Sequence, residues 1–153
     1  MDDLITERLR GFDIQFRTRP GVFSKKGLDP GSRLLINHLQ LPPSGAIADL
    51  GCGTGVIGMV CARLDPRGTI HLLDDHLRAT ELAKQNVRLN NLENARVYLS
   101  DLFSAVPDVA YERIFSNLPA QLGNAFLEEA IAESFAHLTP EGSLSVVVVG
   151  NLR

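Results

Sequence analysis

The run Ala46-Ile-Ala-Asp-Leu-Gly-Cys-Gly-Thr-Gly-Val-Ile-Gly58 constrains this chain more than any other part of it. A short apolar stretch, Ala46 to Leu50, carries a single carboxylate, Asp49. Glycines follow at alternate positions, Gly51, Gly53 and Gly55, and an apolar-rich segment of helical length then runs from Val56 to Leu64. The order strand, glycine turn, helix follows from this pattern. Glycine lets the backbone turn tightly and approach a ligand where a Cβ would clash. The helix behind the turn points unpaired N–H groups at whatever occupies it. Such a turn suits a nucleotide-type cofactor. It is also compatible with an ordinary strand-to-helix turn, because one glycine fingerprint alone does not decide.

Two cofactors fit the glycines. Gly53-x-Gly55-x-x-Gly58 matches a dinucleotide fingerprint, with Asp74 at the distance of a ribose-binding acid, which would make the chain an NAD(P)-dependent oxidoreductase. Asp49-x-Gly51-x-Gly53-x-Gly55 resembles motif I of class I S-adenosylmethionine (SAM) methyltransferases. Asp49 favours the second reading, because a carboxylate at the mouth of the first strand is awkward beside a pyrophosphate but suits a sulfonium and an amino group. Residues 1–45 also precede that strand, whereas dinucleotide domains usually begin with it.

A chain of 153 residues is expected to form one domain, 1–153, with 1–45 as an N-terminal lead-in. Its apolar share of 44% and charged share of 22% are those of a soluble globular protein. Nothing after Met1 resembles a signal peptide, and no apolar run is long enough to span a membrane, so a cytoplasmic location is expected. Cys52 and Cys61 lack metal-ligand spacing and read as packing residues; no metal site is expected, and His38, His71, His76 and His137 are scattered. The net charge of −3 argues against a large nucleic-acid footprint. Arg8, Arg10, Arg17, Arg19, Lys25, Lys26 and Arg33 nevertheless crowd the lead-in, either as a solvated surface or as a phosphate-facing strip.

In chain order, Asp2 to Arg10 reads as a short helix with Leu4, Ile5 and Leu9 on one side. Phe12, Ile14 and Phe16 alternate as in a strand. A turn-rich stretch, Gly21 to Ser32, leads into a helix from Ser32 to Leu39 with Leu34, Leu35 and Leu39 inward. Beyond the glycine turn, strands are expected at Thr69 to Leu73, Ala95 to Leu99 and Arg113 to Ser116. Helices are expected at Leu77 to Asn90 and Asn124 to Leu138, with a turn at Pro140-Glu-Gly142. Leu144 to Val149 has the continuous β-branched composition of a buried central strand. Alternating strands and helices predict an α/β domain with a doubly wound, mostly parallel, Rossmann-like sheet. Ligands of such sheets lie beyond the carboxyl ends of the strands, and Asp49, Asp74, Asp101 and Asn117 all fall there.

Asp74 is placed to take both ribose hydroxyls. Asp101 is placed to accept from an adenine amino group, with Leu102 and Phe103 as apolar neighbours of the ring. Asp74-x₄-Ala79-x₃-Ala83-x₂-Asn86-x₃-Asn90 resembles the helix after motif II in SAM methyltransferases that modify nucleic acids or protein amides. Gly21-Val-Phe-Ser-Lys-Lys-Gly-Leu-Asp-Pro-Gly-Ser32 resembles the lead-in of the methyltransferase small domain family, which includes ribosomal RNA guanine-N2 methyltransferases. The resemblance extends from about Phe16 to Val149. It implies the class I SAM-methyltransferase fold, a lead-in lying over the cofactor, SAM held by Asp49, Gly51, Gly53, Gly55, Asp74, Asp101 and Leu102, and an RNA substrate, a guanine amino nitrogen.

The resemblance further implies a reaction centre at Asn117-Leu118-Pro119, where the family has Asn-Pro-Pro-aromatic. The asparagine side chain and the carbonyl of the next residue, here Leu118, would accept from the target amino group. Ala120 stands where the family's aromatic stacks on the base, and Phe12, Phe23 and Phe126 are candidates to replace it. The fold class also implies two further strands after the fifth, and the chain stops at Arg153 without them. It is then either a fragment or a sheet with an exposed fifth strand through which copies self-associate. A non-catalytic SAM-binding or docking module is a further reading that Ala120 leaves open.

Overall fold

The computed structural model of the chain describes residues 3–20 and 27–150. Asp2, the stretch Gly21 to Lys26 with Phe23 and Lys25, and Asn151 to Arg153 lie outside the described residues. The N-terminus is a β-hairpin. Strand β1 (Asp3–Leu9) pairs antiparallel with β2 (Phe12–Thr18), from Asp3 opposite Thr18 to Leu9 opposite Phe12. Arg10 and Gly11, both at positive φ (52° and 88°), form the two-residue turn whose twist matches that of the strands. This corrects the helix expected over Asp2 to Arg10. The inward positions of β1 are Ile5, Glu7 and Leu9, and the acid among them hides the alternation. Glu7 faces inward because it takes Arg33 of the next helix at 3.1 Å.

The remaining elements are α1 (Pro30–Asn37), β3 (Ala46–Leu50), α2 (Val56–Leu64), β4 (Thr69–Asp74), α3 (Leu77–Leu89), β5 (Ala95–Leu99), β6 (Tyr111–Pro119), α4 (Asn124–Ala136) and β7 (Leu138–Val149). Asp29 caps α1 and Pro30 opens it, so the helix begins two residues before the expected Ser32. Leu35 and Leu39 are buried as expected, but Leu34 is exposed and Ile36 takes the inward place. Five parallel strands form one sheet in the order β5-β4-β3-β6-β7. The chain winds outward from β3 to β5, then returns to β6 on the other side of β3. The switch point therefore lies between β3 and β6.

Apolar side chains alternate along β3 between two cores. Ile47 joins the core under α1, α2 and the hairpin, and Ala48 and Leu50 join the one under α4. Strand β7 is an edge strand and only half-buried, which corrects the central position expected from its composition. The turn expected at Pro140-Glu-Gly142 is instead an irregularity inside β7, where the register jumps from Tyr111 opposite Leu138 to Arg113 opposite Ser143.

The hairpin is fastened to the sheet by two asparagines one turn apart, Asn86 on α3 and Asn90 at its C-cap. Asn86 Oδ1 accepts from the Arg17 N–H (2.7 Å), and its Nδ2 donates to the Arg17 carbonyl (3.1 Å) and the Thr54 carbonyl (2.8 Å). Asn90 makes the same pair with Gln15, at 3.0 and 2.6 Å. Two side-chain amides thus cover the outer edge of β2 as another strand would. Arg8 pairs with Asp13 (3.1 Å), and Arg10 donates to the Ile36 and Leu39 carbonyls at the end of α1. These three arginines, Arg33 included, are engaged within the lead-in itself.

Candidate functional site

A cleft of about 580 Å³ opens beyond the C-terminal ends of β3, β4 and β6, at the switch point. Its volume falls within the range of small-molecule pockets, about 300–1,000 Å³. Leu50, Gly51 and Gly53 contribute to it from the end of β3 and the glycine turn. Asp74 to Ala79 and Ser100 to Leu102 line one side; Asn117 to Pro119, Leu122 and Phe126 line the other.

The glycine turn is shaped by positive φ at Gly51 (71°), Gly53 (54°) and Gly55 (92°). The Gly51 and Cys52 amides both donate to the Leu73 carbonyl, which ties the turn to β4. The place of a Cβ on Gly53 has no neighbour within 4 Å, so this residue presents open backbone to the cleft. Gly55 does not line the cleft. A Cβ there would lie 3.0 Å from Leu72 and 3.4 Å from the Ala83 Cβ, so its role is close packing of α2 against α3 and the sheet.

Asp49 also lies behind the cleft wall. It is buried on the α2 side of β3, and its Oδ2 accepts from the Gly58 N–H at 2.8 Å. Burial pushes its carboxyl up to about 7; the Gly58 bond partly offsets this, and the charge of Asp74 adds to it. The mouth-of-strand position expected of Asp49 is therefore corrected. Odd-numbered positions of β3 face α2, and Asp49 fastens that helix rather than facing the ligand space.

Asp74 ends β4 and lines the cleft. Its Oδ2 accepts from the Gly53 N–H at 2.9 Å and its Oδ1 from the His76 N–H at 3.0 Å. Each carboxylate oxygen has two lone pairs, so Oδ2 keeps one for a ligand, while Oδ1 also lies 3.4 Å from the His76 ring Nδ1. Asp101 is exposed at the rim, and its carboxylate has no partner among the described residues. Ser100 shapes this corner: its Oγ donates to the Leu102 carbonyl (2.7 Å) and accepts from the Ala105 N–H. Leu102 is held there at φ 50°, uncommon for leucine, and turned onto the cleft. Phe103 is buried in the core beneath and does not line the cleft.

Asn117 lies within β6, opposite Val147 of β7, rather than after the strand. Its Nδ2 donates to Asp29 Oδ2 (2.7 Å) and Ser32 Oγ (3.0 Å) at the start of α1. Its Oδ1 is buried and finds no hydrogen-bond partner among the described residues. Such an acceptor costs about 1–3 kcal/mol when left unpaired. Leu118 and Pro119 follow it on the cleft wall. Of the three aromatic candidates for the place of Ala120, Phe126 lines the cleft, Phe12 packs on the hairpin core, and Phe23 lies outside the described residues. Asp29 and Ser32 escaped the sequence reading. An Asp-Pro pair before a helix is a capping signal, but nothing local connects it to a residue 88 positions away.

The methyltransferase small domain family matches residues 13–153 of the chain. This chain belongs to that family. As a small-domain methyltransferase it is 40% identical over 143 residues to the uncharacterized Bacillus subtilis protein YbxB, covering 92% of this chain and 71% of that protein. It is 40% identical over 139 residues to the ribosomal RNA small subunit methyltransferase C of Hamiltonella defensa, covering 88% of this chain and 41% of that protein. Among solved structures, the 16S rRNA N2 methyltransferase RsmC of Thermus thermophilus, in complex with AdoMet and guanosine, superposes with a TM-score of 0.85. The identity there is 25%, covering 95% of this chain and 41% of that one. The chain thus spans about two-fifths of the length of these two ribosomal RNA methyltransferases. Family and fold together make it a class I methyltransferase domain, and the dinucleotide reading of the same glycines gives way.

Proposed function

We propose that this domain transfers a methyl group from SAM to the exocyclic amino nitrogen of a guanine in ribosomal RNA. The observation that carries this reading is that Asn117, a residue of the cleft wall, holds a buried Oδ1 with no hydrogen-bond partner among the described residues. It is an acceptor without a donor, on the side of the cleft away from Asp74 and Asp101. It lies beside Gly31 and shut from solvent, and a shift of the side chain toward the cleft lets a target amino group supply the missing N–H.

The cleft residues fit SAM. Asp74 offers its carboxylate to ribose hydroxyls, Asp101 and Leu102 an acceptor and an apolar face for adenine, and Gly51 and Gly53 open backbone for the chain between. Asp49 and Gly55 support these groups from behind, through α2. Bound there, SAM supplies an electrophilic methyl on its sulfonium. Asn117 Oδ1 and the Leu118 carbonyl accept the two N–H groups of the target amine, which leaves its lone pair pointing along the transfer direction. Pro119 stiffens this wall, and Phe126 offers the ring face that Ala120 lacks. A base stacked on an aromatic ring gains about 1–3 kcal/mol. Catalysis on this reading is positioning.

The test is methyl transfer from labelled SAM to ribosomal RNA, together with calorimetry of SAM binding. Asn117→Ala is expected to bind SAM as the wild type does and to transfer methyl at least tenfold more slowly, a barrier increase of about 1.4 kcal/mol. Lost SAM binding, with turnover per bound SAM preserved, would place Asn117 on the cofactor instead.

A further inference from the structure

Resting on the methyl-transfer reading, we propose that Asp29 is a positioning residue that claims the NH₂ group of the Asn117 carboxamide and so reserves its oxygen for the methyl acceptor. Asp29, Ser32 and Asn117 form a closed bracket between the start of α1 and the end of β6. Asn117 Nδ2 donates to Asp29 Oδ2 at 2.7 Å and to Ser32 Oγ at 3.0 Å. Ser32 Oγ donates to Asp29 Oδ1 at 2.7 Å, and the Ser32 N–H donates to Asp29 Oδ2 at 3.1 Å.

A carboxylate only accepts, so Asn117 meets Asp29 through its NH₂ group and in no other way. Rotating the amide by half a turn would set two acceptors against each other with no hydrogen between them. Both amide hydrogens are therefore taken by Asp29 and Ser32, and Oδ1, shut from solvent beside Gly31, is left as the one unsatisfied atom of the group. A charge-assisted bond to the NH₂ also draws the amide toward its charge-separated form, which strengthens Oδ1 as an acceptor. Gly31 makes room for this arrangement: a Cβ there would lie 2.8 Å from Oδ1 and 2.7 Å from Val149 Cγ2. A helix-capping role explains the Asp29 bonds to Ser32. It does not explain the bond to an amide 88 residues away whose oxygen has no partner.

Two variants separate positioning from capping. Asp29→Ser keeps a good cap but is too short to reach Asn117, and Asp29→Asn keeps cap and length but loses the charge and permits the amide to flip. Methyl transfer to ribosomal RNA is expected to slow at least tenfold in Asp29→Ser and less in Asp29→Asn, with SAM affinity and melting temperature at wild-type values. Wild-type transfer rates in both variants would overturn the proposal. A matching loss of SAM affinity would also overturn it, by assigning Asp29 to the cofactor.

A second readout needs no turnover. The Asn117 side-chain ¹⁵N–¹H signals, identified by their loss in Asn117→Ala, are expected to be protected from exchange in the wild type and to move to free-amide behaviour in Asp29→Ser. Identical signals in both proteins would overturn the bracket. Absence of transfer by the wild type would defeat the choice of acceptor, while the amide signals still decide the orientation of Asn117.

Discussion

Asp49 is a carboxyl group sealed between β3 and α2, and its titration makes the domain sensitive to pH. Burial raises it from the ordinary 3.8 to about 7, against the Gly58 hydrogen bond and with the repulsion of Asp74. A folded-state value above the unfolded one favours the protonated form on folding. The contribution is fully present below the unfolded value and is lost as pH rises through about 7. The melting temperature is therefore expected to fall between about pH 4 and about pH 7, and Asp49→Asn is expected to flatten that fall. Thermal denaturation of both proteins at the two pH values checks this, and equal slopes would contradict it. Asp74, which lines the cleft, is expected to matter to the cofactor: Asp74→Ala should weaken SAM binding by about 1.5–3 kcal/mol in a calorimetric titration. Unchanged affinity would remove it from the site. The strand-end positions of Asp74, Asp101 and Asn117 were legible because a parallel sheet aligns its carboxyl ends. The displacement of Asp49 was not, since one apolar run does not say which face of its strand meets a helix and which meets the ligand.

Among the elements, β7 carries a consequence of its place in the sheet. It pairs with β6 on one side and has no partner strand on the other among the described residues. Its Val146 to Val149 are half-buried, and Ile131 and Phe135 of the neighbouring α4 are exposed. An uncharged, β-branched edge beside exposed apolar groups invites pairing with a second copy. The 153-residue chain is expected to self-associate, and Val147→Lys to reduce this; sedimentation of both proteins decides, with a wild-type monomer at high concentration as the contrary result. Composition misplaced this strand. A β-branched run reports a strand able to be buried on both faces, and its position in the order depends on which neighbours the rest of the chain provides. The helix expected over β1 failed for a related reason. Its seven residues form a ladder only because β2 lies beside them, and Glu7 at an inward position is explained by Arg33, remote in sequence.

For the molecule as a whole, the fastening of the hairpin by Asn86 and Asn90 determines where substitutions can accumulate. Both asparagines bind peptide groups of Gln15 and Arg17, not their side chains. The attachment is therefore blind to the identity of residues 15 and 17, so long as each has an N–H to give. Among relatives diverging by neutral drift, those two positions would be free to wander while 86 and 90 stay fixed. Proline is the exception, having no N–H. A saturation library scored for folded protein should accept nearly every residue except proline at 15 and 17, and almost nothing but asparagine at 86 and 90. The outward side chains of β2 are thereby released from holding the fold together and left open to selection for other work.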